Sequence, residues 1–309
     1  MIHLFIINPA AGKRDRTEEF TKTIEECAAR HGLEYRIAVS KGPGDCRAIA
    51  REAAESGEEY RIYACGGDGT LNEVVSGVRG HSNVAVTNFS AGSGNDFVKI
   101  FGATEPFRDL EQLLDCEETE FDLIRCNDDV SLNIASVGFD ARIGTEMAAY
   151  KRLPLVSGPM AYLISALVNL IKGVTEHYVV EIDGEKIDSN HTLICACNGQ
   201  YYGGGFHPVP EADPCDGKLD VLLVGPVTRL KVLSVIGIYK KGQYTKLPQY
   251  IRHIRTDAVK IICDKPTPVN LDGELRTAQT VDIRMAGEKL RFFYPKSLNW
   301  SKRTAALAK

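Results

Sequence analysis

The sequence predicts an α/β N-terminal domain, a parallel sheet with flanking helices, followed by a mainly β-sandwich second domain. Up to residue 125, short apolar runs alternate with segments of helical spacing, which is typical of a parallel sheet covered by helices. Beyond residue 125 the chain changes to short apolar runs separated by turn signals, which favours a sandwich. We therefore expect a first domain over residues 1–125 and a second over 126–287.

In the first domain, strands are predicted at residues 2–7, 35–39 and 84–89, and a further strand runs from Arg61 to the glycines at 66 and 67. A helix is predicted over 17–31, because Phe20, Ile24 and Cys27 have helical spacing and Gly32 follows. A second helix of good helix formers is predicted over 45–55. A third helix is expected to begin at Thr70.

Asn8, Ser40, Gly66 and Ser93 all fall at the carboxyl ends of predicted strands. In an open α/β sheet, ligands bind outside those ends. The four positions therefore predict one shared binding site, which a nucleotide would suit.

The turn Gly66-Gly-Asp-Gly-Thr70 is the strongest single signal in this region. Its glycines allow positive φ and close approach of a ligand, and the N–H groups of a following helix favour an anion. Asp68 beside a polyphosphate requires a divalent cation, so nucleotide plus magnesium is our hypothesis. The alternative is an ordinary tight turn, because glycine and aspartate dominate turns for local reasons.

The second domain is predicted to contain short strands, with helical excursions near residues 141–172 and 228–244. The strands are expected at 130–137, 178–182, 192–197, 219–224, 258–263 and 280–285, with one more at 289–294. The uncharged stretch 153–171 resembles a membrane span, but prolines and glycine break it. A helix from Pro159 to Ile171 would be about 20 Å long, too short to cross. It is interpreted as a core helix, or alternatively as an apolar wall facing a lipid substrate.

Two Asp-Gly-Glu triplets stand at 183–185 and 272–274, and Asp-Gly between alternating runs is a strong hairpin signal. We interpret the first triplet as a hairpin turn. If the second is extended, alternation places Asp272 and Glu274 on one side.

The composition excludes some classes of partner. The 309 residues are 44% apolar and 25% charged, so the chain can bury two cores. A net charge of −4 gives no global reason to bind nucleic acid, and none is expected. The first residues lack signal-peptide features, so a cytoplasmic location is expected. The nine cysteines show no zinc spacing and are interpreted as reduced thiols.

The run Gly66-Gly-Asp-Gly-Thr-Leu-Asn-Glu73, followed by Ser90-Ala-Gly-Ser-Gly-Asn-Asp-Phe97, resembles the diacylglycerol kinase catalytic family, in particular its soluble bacterial lipid kinases. The resemblance implies a NAD kinase/diacylglycerol kinase-like fold whose last strand and tail, 288–309, return to the first domain. It also implies nucleotide contacts from Asn8, Gly12, Ser40, Gly66, Gly67, Asp68, Gly69, Thr70, Leu71, Asn72, Glu73, Gly92, Ser93 and Asn95. In this chain Ser90 and Ser93 replace the usual proline and threonine.

By the same resemblance, Asp68, Asp96 and Asp122 form a network around the catalytic magnesium. For Asp122 the alternative is a solvent-facing strand end. Glu274 is assigned as the base with Asp272 as its support, and Asp68 is the competing base. Gly-Gly-Gly, Pro-x-Ala and Asp-Gly-x-Leu-Asp elements near 203–220 imply a second, structural Mg²⁺ held by Asp213, Asp216 and Lys218, for which a metal-free acidic turn is the alternative.

The expected function is that of an ATP-dependent lipid kinase that phosphorylates diacylglycerol or a related lipid with Mg²⁺, through transient membrane contact. A NAD kinase-like phosphotransferase is the rival enzyme. A catalytically silent nucleotide-binding regulator is the rival from another class, although Asp68, Asp96, Asp272 and Glu274 are all retained. A homodimer is left open.

Overall fold

The computed structural model describes residues 1–12, 14–91, 94–150 and 158–300. The chain forms two compact units. The first consists of Met1–Asp122 together with the C-terminal segment from Gly287, and the second consists of Leu123–Ala286. Each unit is described by itself.

The first unit alternates strands and helices along the chain. Its elements are β1 (Ile2–Ile7), α1 (Thr17–His31), β2 (Tyr35–Val39), α2 (Asp45–Glu55), β3 (Tyr60–Gly66), α3 (Asp68–Val78), β4 (Val84–Ser90), α4 (Leu110–Leu114) and the first part of β5 (Cys116–Cys126). Short 3-10 turns cover Phe97–Phe101 and Glu105–Arg108.

The second unit begins within β5 and is mainly β. Its further elements are β6 (Asp129–Ser131), β7 (Ile134–Gly138), α5 (Phe139–Tyr150), α6 (Gly158–Lys172), β8 (Glu176–Ile182), β9 (Glu185–His191), β10 (Leu193–Cys197), β11 (Leu219–Val224), α7 (Arg229–Lys240), β12 (Ile251–Thr256), β13 (Ala258–Leu271) and the first part of β14 (Glu274–Pro295). The last residues of β14 belong to the first unit.

The sheet of the first unit has the order β2-β1-β3-β4-β14, and each of these pairs is parallel. Every residue of β1 and β4 is buried. Burial on both faces explains why β1 is almost wholly apolar and why β4 shows no strict alternation. Helix α1 buries Phe20, Ile24 and Cys27 and ends at Gly32, whose φ of 63° is left-handed.

The second unit is a sandwich-like arrangement of antiparallel strands, in which β13 pairs with β14 and with both β7 and β8. The order is β12-β11-β10-β7-β13-β14, and β8 with β9 joins through β13. The register of β13 breaks between Ile262 and Thr267; the residues before the break pair with β8 and those after it pair with β7. An irregularity of this kind lets a strand bend, so that its two parts can pair with different neighbours.

Strand β10 shows where the two cores of this unit lie. Ile194 and Ala196 belong to one buried cluster, whereas Leu193, Cys195 and Cys197 belong to the other. Alternate residues of a strand point to opposite faces, so the sheet is covered on both sides.

The predicted fold class is confirmed in both units, while several element boundaries were wrong. The predicted strand 130–137 is split into β6 and β7, and the predicted strands 280–285 and 289–294 are parts of one strand, β14. Strands β5, β9 and β12 were missed. Five of the seven residues of β9 are polar or charged other than histidine, so it carries little apolar signal.

Helix α6 spans 158–172 rather than 159–171, and residues 153–157 of the apolar stretch lie outside the described residues. Within the described part of the chain, none of the helices has the length and apolarity needed to cross a membrane.

Candidate functional site

The strand ends of the first unit are tied together by backbone hydrogen bonds. The N–H of Asn8 donates to the carbonyl of Cys65 at 3.1 Å, and the N–H of Ser40 donates to the carbonyl of Ile7 at 2.8 Å. The N–H of Ala91 donates to the carbonyl of Gly66 at 2.8 Å. The loops after β1, β2, β3 and β4 therefore lie side by side, as the positions of Asn8, Ser40 and Gly66 led us to expect.

Asn8, Gly66 and Thr70 form the tightest part of this cluster. The side-chain amide of Asn8 donates to Thr70 Oγ1 at 3.0 Å, and its Oδ1 accepts from the N–H of Ala10 at 3.0 Å. A Cβ added to Gly66 would lie 2.2 Å from Thr70 Oγ1, which no side chain can occupy. Glycine at 66 is required by this close approach.

Our expectation that the glycines of this turn adopt positive φ was wrong. Gly67 has a φ of −109°, and neither Gly66 nor Gly69 is among the positive-φ glycines. In the same loop cluster it is Gly12 that adopts positive φ, at 85°, and a Cβ there would lie 3.1 Å from the carbonyl oxygen of Ala91. The glycines of the 66–69 turn therefore provide space rather than an unusual backbone.

Helix α3 begins at Asp68, with Gly67 as its N-cap, and not at Thr70 as predicted. The α3 side chains named in the prediction differ in placement. Leu71 packs in the interior at 2% exposure, while Asn72 is buried and its Oδ1 has no partner among the described residues. Glu73 Oε1 accepts from the N–H of Gly44 at 2.9 Å and so fixes the loop that follows Ser40.

The carboxylates of Asp68 and Asp96 come together at Gly94. The N–H of Asp96 donates to Asp68, and the Lys99 ammonium pairs with the Asp96 carboxylate. A Cβ on Gly94 would lie 2.6 Å from Asp68 Oδ2 and 3.9 Å from Asp96 Oδ2. The two carboxylates offer the hard oxygen donors that magnesium prefers, and Lys99 already pairs with one Asp96 oxygen. Gly92 and Ser93 lie outside the described residues, and Asn95 is buried with a φ of 47°.

Asp122 is buried at 5% exposure, so its alternative interpretation as a solvent-facing strand end was wrong. Its Oδ1 pairs with Lys289 Nζ at 2.9 Å. Lys289, like Lys99, was missed from the sequence, since nothing in an isolated lysine indicates which carboxylate it will meet. The magnesium role of Asp122 stays a prediction.

In the second unit, Asp272 is held by the backbone of the β6–β7 turn. Its carboxylate accepts from the N–H groups of Leu132 at 2.6 Å, Ile134 at 2.8 Å and Asn133 at 3.0 Å. Burial raises the pKa of this carboxyl, and these hydrogen bonds act in the opposite direction. Asp272 therefore anchors one turn to another.

The expected extended arrangement of Asp272 and Glu274 was wrong. Asp272 and Gly273 have φ of 51° and 93° and form the two-residue turn between Leu271 and Glu274, which are paired. Asp183 and Gly184 form a similar turn, with φ of 48° and 79°, so the hairpin interpretation of the first triplet is supported by the structure.

The side chain of Glu274 is partly exposed and lies 3.6 Å from Arg276 Nη1. Arg276 also binds Asp129 at 2.9 Å. Arg276 therefore pairs with Asp129 and also lies beside Glu274. The Glu274 side chain remains partly exposed at the edge of the hairpin.

The proposed structural magnesium ligands lie in one turn, but a cation is already present. The N–H of Asp216 donates to the carbonyl of Asp213 at 3.3 Å, and the N–H of Lys218 donates to Asp216 Oδ1 at 2.9 Å. The Arg255 guanidinium pairs with the other carboxylate oxygen of Asp216. These donors fit a divalent ion only if Arg255 releases that oxygen, so the site stays a prediction and the metal-free acidic turn stays open.

All nine cysteines are free thiols. One of them belongs to a group outside the predicted site, in which Cys27, His31 and Glu111 place one ligand atom each within 4.8 Å of the others. Burial raises the Cys27 pKa to about 11, and the Arg30 guanidinium pairs with Glu111. A thiol with so high a pKa stays protonated at neutral pH, and only the thiolate is a good metal ligand, so we assign no metal there.

Two protein-family models match this chain. The model described as "Diacylglycerol kinase catalytic domain" matches residues 3–126, and the model described as "YegS C-terminal NAD kinase beta sandwich-like domain" matches residues 133–294. The two matches fall on the α/β and the β-rich parts of the chain, respectively.

Relatives of similar length are found in staphylococci. A protein named "Putative lipid kinase" from Staphylococcus carnosus (strain TM300) is 25% identical over 243 residues, which cover 78% of this chain and 79% of the relative. A protein of the same name from Staphylococcus epidermidis (strain ATCC 12228 / FDA PCI 1200) is 25% identical over 255 residues, covering 81% and 82%. Among solved structures, a diacylglycerol kinase from Bacillus anthracis str. Sterne has a TM-score of 0.68 at 20% identity over 96% of this chain and 97% of that chain. This last likeness shows the shared fold.

Proposed function

This chain belongs to the lipid kinase family that joins a diacylglycerol kinase catalytic domain to a YegS C-terminal NAD kinase beta sandwich-like domain, and we propose that it transfers the γ-phosphoryl group of ATP to the hydroxyl of diacylglycerol or a related lipid. We further propose that it acts in the cytoplasm, at the membrane surface where such a substrate resides.

One observation carries the proposal within this chain: the paired carboxylates of Asp68 and Asp96 lie beside the tied strand ends of a parallel sheet. The close approach at Gly66 and the Asn8–Thr70 hydrogen bond give this edge a fixed shape. Helix α3 begins at Asp68, so its first N–H groups also lie at this edge. Donors for phosphate and acceptors for a metal are thus combined at one place.

In the proposed reaction, the first unit binds the nucleotide. Asn8, Thr70 and the N–H groups at the start of α3 orient the phosphates, while Asp68 and Asp96 would hold Mg²⁺. The metal, when bound, offsets phosphate charge. Lys99 already pairs with Asp96 and holds its carboxylate in place for this role.

Glu274 is proposed to be the proton acceptor. Glu274 accepts the proton of the lipid hydroxyl as the phosphoryl group transfers, which a carboxylate can do within hydrogen-bond reach. Asp272 does not need to touch substrate in this scheme. It positions Glu274 by holding the hairpin turn against the backbone of Leu132, Asn133 and Ile134.

The test is phosphoryl transfer from labelled ATP with Mg²⁺ to diacylglycerol, phosphatidylglycerol, sphingosine, ceramide and NAD, the lipids being offered in mixed micelles. Label on diacylglycerol or another lipid is expected. Label on NAD alone would contradict the proposal that the substrate is a lipid. NAD is included because the description of the second family model names a NAD kinase beta sandwich-like domain. That match is the reason to test NAD kinase activity as the second candidate function.

Two variants divide the roles. Glu274→Gln is expected to lower kcat by roughly 100-fold or more, because general-base catalysis contributes about that much, while leaving ATP binding intact. Asp68→Asn is expected to weaken Mg²⁺-dependent ATP binding as well as turnover. If Glu274→Gln is fully active, the base role returns to Asp68.

Glu185→Gln is the matched control for the second unit. Glu185 follows the similar Asp183-Gly184 turn and pairs with Arg252 at the protein surface. Its removal is expected to leave turnover unchanged, which separates a role of Glu274 in chemistry from any general effect of changing a hairpin glutamate.

A further inference from the structure

We infer that the exposed face of helix α7 is a membrane-docking surface for anionic lipid. The inference rests on the proposed function for its choice of a lipid partner, and it adds the place and the chemistry of the contact. We call this face the α7 surface and define it by Leu230, Leu233 and Ile236 together with the cations that flank them.

The apolar residues of the α7 surface are unusually exposed. Leu230, Leu233 and Ile236 are 82%, 59% and 39% exposed. They are spaced three residues apart, so they form one stripe along the helix. An aligned apolar stripe in water marks an interaction site rather than scattered surface residues.

The opposite side of the helix is also apolar and is already used for folding. Val232 and Tyr239 are buried in the second core cluster, and Val235 and Ile238 pack against it. The stripe is therefore not needed to attach α7 to the sheet. It remains available to a partner.

The charged side chains of the segment around α7 are all positive, whereas the chain as a whole is acidic. The chain as a whole has a net charge of −4, yet no aspartate or glutamate occurs between Asp220 and Asp257. Five exposed cations lie on α7 or in the six residues that follow it, and they form no ion pair among the described residues. They are Arg229, Lys231, Lys240, Lys241 and Lys246. An apolar stripe flanked by cations is the pattern of a helix lying at a lipid interface.

Helix α6 extends the apolar character of this part of the unit. Its residues Met160, Leu167 and Ile171 are 49%, 51% and 71% exposed. Leu170 of α6 packs against the same core cluster as α7. Two helices seated on one core layer thus both leave apolar side chains in water.

An anionic bilayer fits the α7 surface better than a second copy of the chain does. Two copies meeting by this face would bring cations of one copy close to cations of the other, and like charges repel. Lipid phosphates instead place negative charge at the level of the flanking lysines, while acyl chains accept the leucines.

The test is sedimentation of the full-length protein with vesicles. Binding is expected to phosphatidylcholine vesicles that contain phosphatidylglycerol, and much less to phosphatidylcholine alone. Leu230→Gln/Leu233→Gln is expected to weaken binding at least about tenfold, since two leucines no longer enter the acyl region. Lys240→Gln/Lys241→Gln is expected to weaken it roughly tenfold at low salt, and to reduce its salt dependence.

Controls come from the first unit. Tyr35→Gln removes an aromatic ring that is 39% exposed, and Lys22→Gln removes an exposed helical cation. Both are expected to bind vesicles like the wild type. Circular dichroism and melting temperature verify that the α7 variants remain folded, and a stripe variant that is folded but binds anionic vesicles as the wild type does would overturn the inference.

The failure of this inference is distinguishable from failure of the proposed function. Turnover of a short-chain diacylglycerol that is dispersed in detergent needs no bilayer docking, so the α7 variants should retain it while losing turnover on vesicles. A wild type that binds anionic vesicles through the stripe but phosphorylates no lipid contradicts the proposed function alone. A wild-type dimer that Leu230→Gln/Leu233→Gln converts to a monomer would assign the surface to a second copy instead.

Discussion

At the scale of single residues, the strand-end cluster of the first unit leaves no space around Gly66. Thr70 Oγ1 fills the place of a Cβ there, and its hydroxyl accepts the hydrogen bond from Asn8. The conformation of the glycine is ordinary, and its lack of a side chain is what matters. The requirement for a residue without a side chain at position 66 can be tested by adding a single methyl group.

Gly66→Ala is expected to cost about 1–3 kcal/mol of stability and to weaken ATP binding, because the new methyl must displace Thr70 from Asn8. Isothermal titration with MgATP and thermal melting measure the two effects. Gly287→Ala is the control, since nothing lies within 4 Å of a Cβ added there. Equal ATP affinity in Gly66→Ala and wild type would contradict the role given to this contact.

His3 is a buried titratable group that the proposed reaction does not use. It is 6% exposed, its Nδ1 is 2.8 Å from the Tyr63 hydroxyl, and burial together with nearby Arg61 lowers its pKa to about 4. The folded pKa lies below the unfolded value near 6.5. The contribution of neutral His3 to the free energy of unfolding is therefore fully present above about pH 6.5, and it is lost as the pH falls towards 4.

From pH 7 to pH 5, the free energy of unfolding of the wild type is expected to fall by about 1 kcal/mol more than that of His3→Gln, whose amide does not titrate. Urea unfolding at the two pH values provides the measurement. Identical falls in the two proteins would show that His3 is not kept neutral by folding.

At the scale of elements, the two Asp-Gly hairpins show how one local motif serves two purposes. Asp183 and Asp272 have φ of 48° and 51° and open similar turns. Asp183 Oδ1 accepts from the hydroxyl of Thr256 at 2.6 Å, whereas Asp272 accepts three backbone N–H groups from the β6–β7 turn. Only the second hairpin is tied to a segment of irregular backbone.

Asp272→Asn is expected to destabilise the protein by about 2 kcal/mol, because the amide replaces one charged acceptor with a donor that faces N–H groups. It is also expected to lower kcat by displacing Glu274, with the KM for ATP unchanged. Asp183→Asn is the matched variant and should cost about 1 kcal/mol or less without a change in kcat. Chemical denaturation and steady-state kinetics test both, and equal kinetic effects of the two changes would refute the positioning role of Asp272.

The helices and strands differ in how far they could be predicted. The bounds predicted for α1 and α2, 17–31 and 45–55, are those observed, because helical spacing and a terminal glycine or serine act locally. Strand β12 reads Ile-Arg-His-Ile-Arg-Thr and has no strict alternation, and β9 is mostly polar. Both are strands because a neighbour pairs with them, β11 in one case and β8 in the other.

At the scale of the whole molecule, each of the two units has its own buried core, and the candidate nucleotide residues belong to the first. The tied loop ends belong to the parallel sheet of that unit, and the Glu274 hairpin belongs to the second unit. A nucleotide that binds only the folded chain stabilises it, so binding should be visible as an increase in the free energy of unfolding.

MgATP at about 100 times its Kd is expected to stabilise the folded chain by about 2.7 kcal/mol and to raise the melting temperature by several degrees. Differential scanning fluorimetry with and without Mg²⁺ measures it, and NAD at equal concentration should give a smaller shift. Asp68→Asn should abolish the Mg²⁺-dependent part. A shift of equal size in that variant would remove Asp68 from the nucleotide site.

The sequence by itself determined the fold class and the set of candidate residues. Apolar periodicity, Asp-Gly turns and helix ends are local properties, so they are readable along the chain, and the glycine-rich motifs identified the family. Only the tertiary structure decided what each carboxylate meets: Asp122 meets Lys289, Asp96 meets Lys99, and Asp272 meets the backbone of a distant turn. The two long-range contacts depend on strand register between segments far apart in the chain, and the Lys99 contact depends on the turn that follows Asp96, so none could be read from the residue types alone.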